Sequence, residues 1–162
     1  RKIAFGHGLG CHVCLLRPKS TGEVTLNSND AFDSPKIDPK FFSEREDLDI
    51  MIKGYRKMMQ IMDAEPLRPF TRKVQDPVDI NSDADIEEAM RARADTVYHP
   101  VGTCKMGSDD MSVVNHELKV HALENVRVVD ASIMPTLVGG NTNAPTIMIG
   151  EKAADMIKQA WS

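Results

Sequence analysis

Apolar residues recur at intervals of three and four across residues 43–62, which is the spacing of one face of an α-helix. Ser43 and Glu46 have the spacing of a capping box at the start of this stretch, and Pro66 ends the pattern. The apolar face consists of Leu48, Met51, Ile52, Tyr55, Met58, Met59 and Met62. We predict an amphipathic helix whose methionines pack into a core, with the lining of an apolar substrate channel as the alternative.

A second helix is predicted from about Ser82 to Ala94. Acidic side chains are concentrated in its opening turns, at residues 83–88, and Arg91 and Arg93 lie near its end. This is the order of charges that the helix dipole favours. We therefore interpret the acidic cluster as a solvated helix start and not as a metal site.

Short β-strand patterns flank and follow these helices. Residues 12–16 and 23–26 lie on either side of a Pro/Ser/Thr/Gly turn, which predicts a hairpin, and residues 27–39 are polar enough to be a connecting loop. Residues 126–129 form a β-branched run typical of a buried strand. Asp130 follows it at the position where α/β sheets carry ligands, although a turn or capping role is equally open.

A Gly/Asn-rich turn at residues 139–141 leads into a third predicted helix. Asn143 is predicted to cap this helix, and Pro145 suits its first turn, where the N–H that proline lacks would have no partner. The remaining N–H groups point back towards the turn and favour anionic or electron-rich ligand atoms.

Composition narrows the class of protein. The 162 residues carry a net charge of −4 without a long basic run, which argues against a nucleic-acid partner. No apolar stretch reaches the roughly 18 residues of a membrane span, and three cysteines suit a reducing compartment. We expect a cytoplasmic protein, at most peripheral to the inner membrane. Because the chain opens on Arg1 within sheet-like sequence, we also expect the tail of a longer protein.

Two short patterns near the start look like ligand sites. Residues 6–10, GHGLG, lack the glycine spacing, the preceding strand and the following helix of a dinucleotide-binding loop. Cys11 and Cys14 have redox or zinc spacing, but residues three apart on a strand face opposite ways, and no second ligand pair follows. We predict a flexible loop, two small apolar strand residues and no metal site.

His99 stands in a predicted extended segment, residues 96–100. Pro100 fixes its own φ and favours extended backbone at the residue before it, which suits a presented imidazole. A histidine beside an aromatic residue is, by itself, more often structural than catalytic. Cys104 is predicted to be a small buried residue.

Five blocks of sequence follow in order: LRPKSTG at residues 16–22, YHPVGTCKMG at 98–107, VDASIMP at 129–135, GNTNAPT at 140–146 and GEKAADMI at 150–157. Together they resemble the C-terminal region of the glucose–methanol–choline (GMC) flavin oxidoreductases, in particular the branch of choline dehydrogenase and acceptor-linked alcohol dehydrogenases. The resemblance implies an α+β fold. Residues 1–124 would be a substrate-side domain, incomplete at its N-terminus, with a mainly antiparallel sheet and amphipathic helices. Residues 125–162 would be a strand–turn–helix that returns to the FAD domain.

The resemblance also implies roles for individual residues. His99 stands at the position of the family's catalytic base, and Asn141 at a position that holds His or Asn and contacts the reacting oxygen. The reaction would oxidise a primary alcohol, choline-like or aliphatic, to the aldehyde by proton abstraction and hydride transfer to N5 of FAD. The residues that would bind the cofactor are Tyr98, Asp130, Ala131, Thr142 and Asn143.

The family's N-terminal FAD-binding half, with its glycine-rich fingerprint, is not among these 162 residues. We therefore expect the chain to need that half as a partner, together with an alcohol and an electron acceptor, either a quinone-linked chain or oxygen. The isolated chain is expected to be inactive. The alternative is a catalytically inactive fragment or a non-enzymatic interaction module that keeps the fold without cofactor.

Overall fold

The computed structural model describes residues 8–162. They form two strands, β1 (Glu23–Thr25) and β2 (Lys36–Asp38), and three α-helices, α1 (Arg45–Met62), α2 (Asp83–Arg93) and α3 (Asn143–Trp161), with 3-10 helices at Glu65–Phe70 and Ala131–Ile133. The predicted α+β class and all three predicted helices are confirmed. The chain divides into two compact units: Phe41–Asp95 with the described residues up to Leu15, and Leu16–Lys40 with Thr96–Ser162.

The first unit is built on α1 and α2. Their apolar faces meet in a small core of Leu48, Ile52, Ile86 and Met90. Of the predicted methionine face, Met51 packs against this core, while Met58, Met59 and Met62 are half-buried outside it. The prediction of core packing therefore holds for the first half of α1 and not for its C-terminal turns.

Only one of the two predicted helix starts in this unit is correct in detail. Helix α2 begins where it was predicted to begin, and the side chain of Ser82 accepts a hydrogen bond from the Asp85 N–H as its N-cap. The capping box predicted for α1 is wrong, because the helix begins at Arg45 with Glu44 as N-cap and without a side-chain cap bond. The later start moves Glu46 to the second helical position, out of the register that a capping box needs.

The two strands form an antiparallel ribbon in the second unit, with Val24 opposite Ile37. The predicted hairpin between residues 12–16 and 23–26 is wrong: β1 pairs with β2, which lies inside the predicted connecting loop. Residues 12–15 belong to the first unit, so they are not available as partners of β1. At the end of the ribbon the backbone at Gly22 lies directly against the backbone at Asp38, because a Cβ atom at Gly22 would overlap the Asp38 carbonyl oxygen.

Helix α3 packs against segments that are neither α-helix nor β-strand, and together they form the core of the second unit. The buried residues of this core are Val114, Leu118, Ile133, Met134, Ile149 and Ala153. The strand predicted at residues 126–129 is reduced to a single bridge between Lys119 and Arg127. Leu118 and Asn125 have φ values of 65° and 60°. These left-handed residues turn the chain before a longer ladder can form.

No helix within residues 8–162 is both long enough and apolar enough to cross a bilayer. Part of the glycine-rich segment, residues 6–7, lies outside the described residues, so the expectation of a flexible loop there stays a prediction.

Candidate active site

His99 follows a strained residue. Tyr98 has a φ of 63°, and its N–H donates to Thr96 Oγ1 at 2.9 Å. The extended segment predicted for residues 96–100 is therefore interrupted at Tyr98, because a left-handed residue reverses the local chain direction. The left-handed conformation of a bulky residue costs of order 1–3 kcal/mol, and it persists only where the surrounding structure offsets that cost. The bend leaves the Tyr98 ring 75% exposed and the His99 imidazole half-buried.

The chain after His99 is anchored by backbone hydrogen bonds. Gly102, with a φ of 89°, makes a turn that is closed by the Lys105 N–H to its carbonyl oxygen at 3.2 Å. The Cys104 N–H then donates to the Ser132 carbonyl at 3.0 Å, and the Met106 N–H to that of Ile133 at 2.8 Å. Since Ile133 belongs to the core, these bonds fix the segment that carries the histidine. Cys104 is half-buried, not buried as predicted.

Two consecutive residues at the start of α3 contact the two nitrogens of the imidazole ring. Asn141 Nδ2 lies 2.8 Å from His99 Nε2, and Thr142 Oγ1 lies 2.9 Å from His99 Nδ1. The Asn141 side chain is exposed, whereas Thr142 is only 7% exposed. The structure thus brings together the two residues expected to be catalytic, and adds a second contact of the ring, to Thr142, which the sequence had assigned to cofactor binding instead.

Helix α3 begins one residue away from the predicted position. Thr142 is the N-cap and Asn143 the first helical residue, so the prediction that Asn143 caps the helix is wrong. The first N–H groups of any α-helix have no intrahelical partner, and the Thr142 side chain makes no cap bond here. Asn143 and Ala144 are exposed at this end. These N–H groups therefore lie at the exposed end of the helix that directly follows Asn141 and Thr142.

The turn before α3 is packed against the start of the second unit. A Cβ atom at Gly139 would lie 3.1 Å from Nη2 of Arg17, whereas one at Gly140 would meet nothing within 4 Å. The LRPKSTG block thus contributes its arginine to the support of the turn that precedes Asn141. Gly140 leaves the other side of the turn open.

Asp130 has the capping role that the sequence left open. It is the N-cap of the 3-10 helix Ala131–Ile133, and its Oδ1 accepts from the Ser132 N–H at 2.7 Å. Ala131 is half-buried and packs against the core of the second unit. Roles in cofactor binding remain predictions for all five candidates, Tyr98, Asp130, Ala131, Thr142 and Asn143.

Cys11 and Cys14 are exposed free thiols in chain without regular structure, so their prediction as apolar strand residues is wrong. Among residues 8–162 no group of three or more His, Cys, Asp and Glu side chains is arranged to hold a metal ion.

The arrangement around His99 is suited to proton transfer. An imidazole nitrogen can take a proton at neutral pH. An amide N–H beside it can stabilise the negative charge that develops on the atom giving up that proton. Asn141 does this without titrating itself. An O–H group that displaced the hydrogen bond between His99 Nε2 and Asn141 Nδ2 would contact a base and a donor at once.

The sequence model of the GMC oxidoreductase family matches residues 18–150. Alcohol dehydrogenase [acceptor] from Pseudomonas putida is 51% identical over 158 residues, which are 97% of this chain and 29% of that protein. Oxygen-dependent choline dehydrogenase from Cronobacter sakazakii is 45% identical over 153 residues, 94% of this chain and 27% of that protein. The chain therefore spans under a third of the length of these relatives.

Solved structures show the same relationship. Formate oxidase of Aspergillus oryzae RIB40, studied for its FAD modification, superposes with a TM-score of 0.85 and 35% identity, over 90% of this chain and 26% of that one. Pyridoxine 4-oxidase superposes with a TM-score of 0.80 and 31% identity, over 89% of this chain and 28% of that one. The chain belongs to the GMC oxidoreductase family and corresponds to its C-terminal portion.

Proposed function

We propose that the chain is the base-carrying C-terminal part of an FAD-dependent dehydrogenase that oxidises a primary alcohol, choline-like or aliphatic, to its aldehyde. The observation that carries this proposal is the contact of His99 Nε2 with Asn141 Nδ2 at 2.8 Å. The two residues that the family resemblance assigns to catalysis lie in contact, and relatives that are 45–51% identical to this chain are dehydrogenases of alcohols and choline.

In the proposed reaction His99 accepts the hydroxyl proton of the alcohol at Nε2. Asn141 donates its amide N–H to the same oxygen as negative charge develops there, so the bond strengthens in the transition state. The carbon–hydrogen bond then breaks with its electron pair, which leaves the aldehyde. The alcohol thus loses one proton to His99 and one hydride to the acceptor, and the electrons balance.

FAD, when bound, supplies the hydride acceptor at its N5 atom. The residues present fit such a group, because α3 presents uncapped N–H groups beside Asn141 and the open side of Gly140 admits close approach. A helix start of this kind stabilises an electron-rich ring edge or a phosphate. By family resemblance Tyr98, Asp130, Ala131, Thr142 and Asn143 would hold the cofactor. Residues 125–162 would return the chain to the FAD domain.

The electron acceptor beyond the flavin, a quinone-linked chain or oxygen, and the remaining FAD-binding half would come from outside these residues. We infer that the 162 residues alone neither hold FAD in stoichiometric amount nor turn over. The relatives are more than three times as long as the chain, which supports this inference.

The test is His99→Gln in the longer enzyme that we propose carries this sequence. Glutamine preserves hydrogen bonding but removes the basic nitrogen. Flavin should remain bound and reducible by dithionite, while its reduction by alcohol slows by about 10² to 10⁴, the usual contribution of a positioned base. The parent rate should rise with pH through one ionisation that the variant lacks. Reduction at nearly the parent rate with an unchanged pH profile would refute the proposal.

A further inference from the structure

His99 has a second fixed partner on the side of the ring away from Asn141. Thr142 Oγ1 lies 2.9 Å from Nδ1, and Thr142 is one of only two buried polar residues among residues 8–162. A buried hydroxyl that meets one ring nitrogen excludes water from that nitrogen. The contact between Thr142 and His99 is therefore part of the packed interior and not a chance surface contact.

The neighbouring amide fixes the direction of this hydrogen bond. A side-chain NH₂ group only donates, so Asn141 Nδ2 at 2.8 Å requires His99 Nε2 to be the acceptor. In the neutral ring the proton is then on Nδ1. Nδ1–H has Thr142 Oγ1 as its acceptor, and the Nε2 lone pair accepts from the Asn141 amide, which the proposed substrate hydroxyl would displace.

Thr142 is available for this contact because of the sequence of α3. An N-cap threonine ordinarily accepts from the N–H of the second or third helical residue. The third helical residue here is Pro145, which has no N–H, and the Thr142 side chain makes no cap bond. Its oxygen is left for the imidazole.

The backbone of Thr142 is held in place by the next turn of the helix. The Thr142 carbonyl accepts from the N–H of Thr146 at 3.0 Å and from its Oγ1 at 2.6 Å. Because threonine is β-branched, its χ1 is also restricted. The hydroxyl oxygen is thus presented from a fixed position.

We propose that Thr142 is a positioning residue that, together with Asn141, holds His99 in the Nδ1–H tautomer and so keeps the basic Nε2 on the side of the ring that faces Asn141. This inference rests on the proposed function in that it assumes His99 to be the base. When Nε2 takes up the proton, Nδ1–H still donates to the same hydroxyl. The ring therefore needs no reorientation between its neutral and charged forms, and Thr142 itself carries no charge in either.

The experiment begins with the 162-residue chain and does not depend on flavin. The ¹⁵N shifts of the His99 ring, measured by NMR on its neutral form, report which nitrogen carries the proton. The expected result for the unsubstituted chain is Nδ1–H, against the preference of free histidine for Nε2–H. Neutral His99 found mainly as Nε2–H would overturn the proposal without any variant.

Variants then test the role of the hydroxyl. Thr142→Val keeps the shape and removes the acceptor, so the tautomer ratio should move towards Nε2–H, and Thr142→Ser should restore Nδ1–H. Thr25→Val is the matched control in the exposed strand β1 and should leave the His99 shifts unchanged. An unaltered tautomer in Thr142→Val would also overturn the proposal.

The kinetic arm uses the longer flavoenzyme. Thr142→Val should slow flavin reduction by alcohol roughly 10- to 100-fold, the scale expected when a group that orients the base is lost, and Thr142→Ser should recover most of the rate. A full rate in Thr142→Val contradicts the positioning role. If instead His99→Gln itself retains the parent rate, the proposed function fails, while the NMR result still decides whether Thr142 sets the tautomer.

Discussion

Asn141 Nδ2 and His99 Nε2 lie 2.8 Å apart although 42 residues separate them in the chain. Between them the chain passes through the core of the second unit at Val114, Leu118 and Ile133 before it reaches α3. The pairing therefore depends on the packing of this unit. The residues of the pair can be tested separately by substitution.

Asn141→Ala in the longer enzyme should slow flavin reduction by alcohol about 10²- to 10³-fold, the usual loss for one transition-state donor. Flavin binding should survive, because the amide contacts the imidazole. Stopped-flow reduction and the flavin absorbance of the purified variant check both statements. Asn141→His should recover part of the rate, since a ring N–H can replace the amide donor. Complete loss of flavin from Asn141→Ala would make Asn141 a cofactor-binding or structural residue.

The isolated 162-residue chain should purify without stoichiometric FAD. A helix start and a few flanking residues offer only part of the contacts that a dinucleotide of this size needs. A yellow preparation whose flavin absorbance corresponds to roughly one flavin per chain would contradict the expectation. Addition of FAD to the chain, followed by gel filtration, is the matching control for cofactor lost during purification.

Acid stability should depend on Asp109. Its pKa is lowered from 3.8 to about 2 by hydrogen bonds from Lys105 and then Ser112. A carboxyl with a depressed native pKa contributes stability that is present above its unfolded pKa and lost as pH falls towards its native one. The free energy of unfolding should therefore fall less between about pH 4 and 2 in Asp109→Asn than in the parent.

Denaturant titrations at several pH values measure this difference. Asp110→Asn removes the same charge from the adjacent residue and is the control. Because the Asp109 side chain is largely exposed, the effect should shrink at high salt. Equal acid dependence in the parent and Asp109→Asn would show that this ion pair contributes nothing to stability.

The core of the first unit should be sensitive to truncation at Leu48, which is fully buried between α1 and α2. Leu48→Ala should lower the free energy of unfolding by about 2–5 kcal/mol, the range for leucine-to-alanine cavities. Ile50→Ala on the same helix removes a side chain that is 44% exposed and should cost far less. Urea unfolding followed by far-UV circular dichroism compares the two. Equal losses of unfolding free energy in the two variants would show that Leu48 is not a core residue.

The helices could be predicted because their signals are local. The three- and four-residue spacing from Leu48 to Met62 and the order of acidic and basic residues in α2 each lie within a few turns of chain, and the structure has both helices close to the predicted ends. The strands could not. Lys36–Asp38 is three residues long and flanked by prolines, so no periodicity could identify it.

Of the candidate site, the pair of His99 and Asn141 came from family resemblance, whereas their distance required the structure. The contact of Thr142 with Nδ1 was missed, because it joins residues 43 apart through tertiary packing. One local signal did exist: a threonine followed three residues later by Pro145 has lost one of its two usual capping donors. A hydroxyl in that position is available for another partner.

Both contacts to the imidazole come from two adjacent residues, Asn141 and Thr142, at the N-terminal end of helix α3, which runs from Asn143 to Trp161. The segment that carries His99 is bound separately to the core, through the carbonyls of Ser132 and Ile133. A displacement of α3 relative to that core would therefore change the contacts at both ring nitrogens at once. The basicity and the orientation of His99 thus depend on the same helix position.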